Sequence, residues 1–354
     1  MQAAVGAGHA VGLLSSEGFR SSVAEELPPE AEFLGAGATP GEFSEEAARR
    51  AGADVFHPTP PVIGEIFGGA RVDLGIEDSL AQPTAWAPDL VFAEPFDAIG
   101  PIVAARLGVE WHRAGIGPAL PSVITDEIER VASTRCDSAA ASSYLDPCPP
   151  QLQDPEWSAG IPVWAVRPQA HRRPKDLAFA LPDFGERDKP TVLVTFGTIF
   201  SDPAPLSAAV AAVADTGANV IATLGSSLRL PTAGETLRTD SANVRYVPFV
   251  PLAQLLERVD LVVGAGGVGT VVGTLAHGLP MVLWPQGADQ PINAARAAAS
   301  GTSITVDSAA EIAAAVAKVS ENGEYRRRAR EIAGEIASRP EPAAAISGIT
   351  VHVR

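Results

Sequence analysis

The segment Gly264-Ala265-Gly266-Gly267-Val268-Gly269 sets glycines at G-x-G-x-x-G spacing, between the apolar run Leu261–Val263 and a helix-like run that reaches His277. Glycines at such a turn let the backbone approach a phosphate closely. The N–H groups of Gly266, Gly267, Gly269 and Thr270 would then lie at a helix N-terminus, where an anion is favoured. The Thr270 hydroxyl could cap that helix or bind phosphate. Asp289 and Gln290 follow the next strand-like run and could bond sugar hydroxyls, and Thr198 follows an earlier one and could reach the same phosphate. For Thr198, Thr270 and Asp289 the alternative reading is plain helix capping. The same spacing is the dinucleotide fingerprint, but that turn normally opens the first βα unit, with an acid roughly 20 residues on. Here it opens a late unit, and the next strand ends Leu283-Trp284-Pro285-Gln286 without an acid. A dinucleotide-dependent oxidoreductase is therefore the weaker reading.

The elements that must hold these residues are clearest in the second half. Thr191–Phe196, Asn219–Leu224, Val244–Val247, Leu261–Val263 and Pro280–Trp284 read as strands. Helical stretches intervene at Pro205–Thr216, Leu252–Arg258, after the glycine turn and at Gln290–Ala299. Such alternation predicts a doubly wound α/β domain with a parallel sheet. The first half is less regular. Val11–Leu14, Pro88–Phe92 and a run beginning at Val109 are strand-like, Phe43–Gly52 and Ala98–Leu107 helical, and Pro147–Arg173 irregular. The boundaries expected are an N-terminal domain over 1–171, a linker over 172–189, a donor domain over 190–338 and a tail over 339–354, whose end reads as a strand or a frayed end. A doubly wound domain begins with a central strand, and here the chain opens as if at the end of a helix. A strand, loop and partial helix of roughly 20 residues are missing by ordinary element lengths. A first sheet without its central strand, with two exposed edges, is expected; the simplest account is a start at an internal Met.

Composition narrows the classes. The chain has 354 residues and a net charge of −16, which argues against non-specific contact with nucleic acid or anionic membranes. The two cysteines are too few for a disulfide scaffold and match no zinc spacing. No apolar run is long enough to span a bilayer and the N-terminus does not read as a signal peptide, so the cytoplasm is the default location.

The residues around the turn resemble a known family. Pro251-Leu252, Asp260, Gly266-Gly267, Gly269-Thr270, Gly278, Pro280, Pro285, Asp289-Gln290 and Asn293-Ala294 match, at matched spacing, the donor-binding region of GT-B glycosyltransferases. These are UDP- or dTDP-sugar enzymes that decorate plant metabolites and actinobacterial natural products. Thr195–Thr198 is similar to the loop opening their donor domain, and Tyr144–Gln153 and Ala87–Val109 resemble segments of the antibiotic-type members. The resemblance implies a GT-B fold, two Rossmann-like doubly wound domains facing a cleft. It implies inverting, metal-independent transfer from a nucleoside-diphosphate sugar, as co-substrate rather than cofactor, to a small hydrophobic acceptor. A homodimer is compatible with it.

Three departures stand out. Similar enzymes place a diphosphate-contacting His where this chain has Ala265, and an acid in many of them where it has Gly273. The family's base, usually His, lies in the loop after the first strand, and no residue matches it. Glu94 and Asp97 are the candidates for the carboxylate that orients such a base. His57 and His112 read as polar surface or core residues, His9 as structural and His277 as a helix C-terminal cap. A non-catalytic homologue that binds a nucleotide sugar or supports a partner enzyme is the alternative.

Overall fold

The structure is a computed structural model that describes residues 1–24, 26–52, 54–55, 58–170, 182–185, 189–197, 203–224, 242–248 and 250–350. Thr198 and His57 lie outside the described residues, as does most of the stretch 172–189. The chain divides into two compact units. Unit 1 comprises Met1–Cys148, Asp154–Arg167 and Arg339–Arg354; unit 2 comprises Pro149–Gln153 and Pro168–Ser338.

Unit 1 carries β1 (Val11–Ser15), β2 (Ala31–Gly35), β3 (Leu90–Ala93), β4 (Glu110–Ala114), β5 (Ser143–Asp146) and β6 (Val163–Ala165). Unit 2 carries β7 (Thr191–Thr195), β8 (Asn219–Thr223), β9 (Val244–Val247), β10 (Leu261–Gly264), β11 (Met281–Leu283) and β12 (Ser303–Thr305). Every pairing among them is parallel.

The unit 2 sheet runs β12-β11-β10-β7-β8-β9, so β7 is central and the order reverses between β7 and β10. A parallel sheet is covered on both faces, and its strands read as continuous apolar runs. Val192, Val194, Val220, Val263 and Val282 share one cluster with Leu206, Val210 and Val213 of the helix Pro203–Ala214 and with Ile312, Val316 and Val319 of the helix Ala309–Glu321. The intervening Leu193, Ile221, Val262 and Leu283 are equally buried.

In unit 1 the strands form two sheets, β1-β2 and β3-β4-β5-β6. The helix Ile76–Trp86 lies on β1 and β2, the helix Ile99–Leu107 on β3 and β4, and the two helices pack together. Leu14 of β1 and Val91 of β3 rest on one cluster built from Ile99, Ile102 and Val103. Two sequence expectations change here. Pro147–Arg173, expected to be irregular, contains β6, because a three-residue strand with a Pro before it carries too little periodicity to read. The tail, expected as a strand or frayed end, is the helix Pro342–Thr350 with Ala345 and Ile349 buried. Packing overrides the β-branched character of Ile349-Thr350. Gly348 permits it, since a Cβ there would stand 2.7 Å from the Trp164 ring.

The tail is fixed by charge as well. Arg339 donates to the Val166 carbonyl at 3.1 Å, to the Asp146 carbonyl and to the Asp146 carboxylate at 3.3 Å. Both side chains are nearly buried, so removing the cation strands a carboxylate. Arg339→Met is expected to lower unit 1 stability by about 3 kcal/mol in urea titrations, with unit 2 probes unchanged.

Candidate donor-phosphate site

Unit 2 assembles its site at the C-terminal end of β10, next to the point where strand order reverses. Crevices outside strand ends at such points are where open α/β sheets bind ligands. Gly266 has φ +88°, a left-handed conformation, and a Cβ there would meet the Gln290 carbonyl at 3.2 Å. Both facts require glycine. The helix Val268–Ala276 follows directly. Thr270 and Val271 N–H both take the Gly267 carbonyl. The N–H groups of Val268 and Gly269 have no acceptor among the described residues. Gly269 is exposed and Gly267 and Thr270 half-buried, so the turn presents donors to solvent.

Asn293 ties this turn to the next loop. Its buried Nδ2 donates to the Gly266 carbonyl at 3.0 Å and to Asp289 Oδ2 at 2.7 Å. Asp289 stands at the N-cap position of the helix Gln290–Ala299 yet makes no capping bond. Its other oxygen has no partner among the described residues. The turn and the Asp289 carboxylate are therefore held as one piece. Asn293 matches the family pattern but does not figure among the candidate site residues. It supports them from behind, and only the fold shows that.

Several residues sit differently from the sequence expectation. Thr270 is the third residue of its helix, and Gly267 holds the N-cap position without a side-chain bond, so Thr270 is not the cap. Its hydroxyl stays available to a ligand. Gln290 is buried, and its Oε1 accepts from Gln286 N–H at 2.7 Å and Gly287 N–H at 3.2 Å. It shapes the loop before Asp289, so that oxygen is not free for a sugar. Ala288 in that loop has φ +55°, uncommon outside glycine. The Ala265 methyl is buried in the sheet cluster with Val263. His277 Nδ1 bonds the Gly273 carbonyl at 2.8 Å at the end of its helix.

Unit 1 has its own pocket at the ends of β1 and β2, lined by Ser15, Ser16, Gly37, Arg71, Ser79 and Asp97 among others. Asp97 accepts Ile99 N–H at 3.0 Å and Gly100 N–H at 3.2 Å, and pairs with Arg71 at 2.8 Å. The reading of Asp97 as an orienting carboxylate thus meets a competing duty, anchoring the start of the helix Ile99–Leu107. Glu94 accepts Phe96 N–H at 2.9 Å and is not among the pocket's lining. Burial, reinforced by the nearby Asp97 charge, pushes its carboxyl above the ordinary range against the pull of that N–H and of Arg71. His112 is buried with Nδ1 2.7 Å from Ser143 Oγ, and burial lowers its pKa against the pull of the Glu110 carboxylate. His9 is exposed after Gly8, whose φ is +86°. Among the described residues no group of three His, Cys, Asp or Glu could hold a metal ion. No described helix is long and apolar enough to cross a membrane.

Two measurements check this geometry. Asn293→Leu leaves the Gly266 carbonyl and Asp289 without their donor, so unit 2 should lose about 1–3 kcal/mol in denaturant titrations. Glu94 titrates higher folded than unfolded, so it binds more protons in the native state. Wild-type stability should therefore fall as pH rises from about 4.5 through the folded pKa. Glu94→Gln should remove that component, with melts indistinguishable in pH slope as the failing result.

Comparison with known proteins identifies relatives of this chain. Residues 207–351 match the family described as erythromycin biosynthesis protein CIII-like, C-terminal domain. The chain is 30% identical over 287 residues to L-demethylnoviosyl transferase of Streptomyces niveus, covering 76% of this chain and 72% of that one. It is 28% identical over 310 residues to tylactone mycaminosyltransferase of Streptomyces fradiae, covering 78% and 68%. Among solved structures, the Streptomyces sp. SF2575 glycosyltransferase SsfS6 complexed with thymidine diphosphate superposes with a TM-score of 0.79 at 26% identity, covering 99% of this chain and 93% of that one. Parallel sheets, the reversal point and this likeness agree, and the chain belongs to the antibiotic-biosynthesis glycosyltransferases of GT-B fold.

Proposed function

We propose that the protein transfers a sugar from a UDP- or dTDP-sugar to a small hydrophobic natural-product acceptor, with inversion and without a required metal. The observation that carries the reading is the single rigid piece formed by the Gly266 turn, Asn293 and Asp289. One end offers N–H groups at a helix N-terminus to a diphosphate, and the other offers a carboxylate oxygen to sugar hydroxyls. In the reaction the acceptor oxygen attacks the anomeric carbon, the bond from that carbon to the diphosphate oxygen breaks, and the acceptor proton passes to a base. The Val268 and Gly269 N–H groups and the helix dipole take up charge growing on the diphosphate, which is why no metal is invoked. Asp97 is the carboxylate that reaches the unit 1 pocket and is proposed as a positioning residue; Glu94 is the second candidate.

Ala265 favours a second reading, a nucleotide-sugar-binding homologue without turnover. A methyl donates no hydrogen bond to the leaving group, and loss of one such donor costs on the order of 3 kcal/mol of barrier. Titration calorimetry with thymidine diphosphate, UDP and NADH separates the classes. Binding of a nucleoside diphosphate is expected, and tight NADH binding would overturn the assignment. Ala265→His should tighten thymidine diphosphate about tenfold through a charge-assisted bond, at the expense of a lower Tm because the site is packed. An unchanged Kd counts against the turn as the phosphate site. Release of diphosphate from dTDP-sugar with an acceptor present distinguishes the enzyme from the binder.

A further inference from the structure

The six described strands of unit 2 end in one row. Thr305, Leu283, Gly264, Thr195, Thr223 and Val247 are the last residues of β12, β11, β10, β7, β8 and β9, and each lies beside the next across the sheet. Two residues earlier, on the same face, stand Met281, Val262, Leu193 and Ile221, all buried. The interior of a covered parallel sheet is normally apolar throughout. In the last row that pattern breaks at the centre, where Val262, Leu193 and Ile221 give way to Gly264, Thr195 and Thr223. Leu283 and Val247 on either side of the break remain buried and apolar. The break falls at β10 and β7, where the strand order reverses and open α/β sheets hold their ligands.

The two hydroxyls are linked but not used up. Thr223 Oγ1 donates to Thr195 Oγ1 at 2.8 Å. Thr195 is 8% exposed, and its own hydroxyl hydrogen has no acceptor among the described residues. Thr223 is half-buried, and its oxygen accepts no hydrogen bond among them. The pair therefore offers one donor and one acceptor side by side. Gly264 brings the start of the glycine turn against the end of β7, since a Cβ there would stand 2.6 Å from the Thr195 carbonyl oxygen.

We propose, on the reading of the Gly266 turn as the diphosphate site, that Thr195 and Thr223 bind the 3′-hydroxyl of the nucleoside. With the diphosphate at the turn and the transferred sugar on the Asp289 side, beyond β11, the nucleoside runs the other way, over the ends of β7 and β8. Adjacent strands lie roughly 4.8 Å apart. Thr195 is one strand from the turn and Thr223 two, within the span of a nucleotide. A hydroxyl fits the pair because it accepts from Thr195 and donates to Thr223 at once. That closes a ring of three O–H···O bonds, each polarising the next. A carboxylate or phosphate only accepts, and would leave the Thr223 oxygen unused. The 3′-hydroxyl is common to UDP- and dTDP-sugars, so the pair holds a nucleotide without choosing between the two.

Titration calorimetry on the full chain tests this with three probes: thymidine diphosphate, its 3′-deoxy analogue and inorganic pyrophosphate. The wild type should bind thymidine diphosphate about fivefold to tenfold more tightly than the 3′-deoxy analogue, the effect of one buried hydrogen bond. Thr195→Val keeps the shape and removes the donor. It should weaken thymidine diphosphate by the same factor and leave the other two probes unchanged, and Thr195→Ser should restore the preference. The pair is overturned if the wild type binds both nucleotides equally, if Thr195→Val binds thymidine diphosphate like the wild type, or if it weakens all three probes alike. Pyrophosphate keeps the two readings apart. Pyrophosphate binding with no effect of Thr195→Val sinks the hydroxyl pair alone, whereas failure of all three probes to bind sinks the turn as phosphate site and the pair with it.

Discussion

A strand in a parallel sheet has to be covered on two faces and paired on two edges, and this requirement organises the whole protein. Unit 2 satisfies it. Alternate residues of β7, β8, β10 and β11 fill the interior on one side and then the other, and this fixes where each strand ends. The glycine turn and the Asp289 loop continue directly from the ends of β10 and β11. Their rigidity is inherited from the sheet and completed by one amide, that of Asn293. Unit 1 answers it with two smaller parallel sheets, β1-β2 and β3-β4-β5-β6, under helices that pack together.

The candidate site of unit 2 shows how one backbone conformation propagates. Gly266 turns left-handed, which brings its carbonyl against the helix Gln290–Ala299 and within reach of Asn293. The same side chain engages one oxygen of Asp289, which makes no capping bond and keeps its other oxygen without a partner among the described residues. Gln290 performs the corresponding task for the loop before it, gathering two N–H groups on one buried oxygen. The adjacent Asp-Gln pair therefore divides its labour, one side chain half-buried with an oxygen left over and one buried as a strut.

Much of the fold was legible in the sequence because apolar runs of β-branched residues and strand–helix alternation are direct consequences of two-sided burial. The unit 2 strands and the phosphate-suited turn can be read from that pattern alone. Long-range partnership is absent from it. Asn293 falls on the family pattern, but its task is hidden until its carbonyl partner, 27 positions away, is known. Asp97 reads as a candidate for the carboxylate that orients a base, but the bend after β3 brings it onto two N–H groups and Arg71. The tail helix was hidden because Ile349-Thr350 favours a strand locally while burial against unit 1 decides otherwise. β6 was too short for any period to register.

The units are not contiguous in sequence. Pro149–Gln153 belongs to unit 2 although residues on both sides of it belong to unit 1, and the helix Pro342–Thr350 returns to unit 1 after unit 2 is complete. Cutting the gene anywhere between 171 and 189 would give two fragments, each deprived of a piece of its own interior. The first would lack the helix that buries Ile349 and the Arg339 guanidinium that neutralises Asp146; the second would lack Leu152, which is fully buried. Evolution by swapping halves between relatives is constrained in the same way. A C-terminal half exchanged between 171 and 189 alone brings its own tail into a foreign unit 1, so productive chimaeras need a second crossover near residue 339.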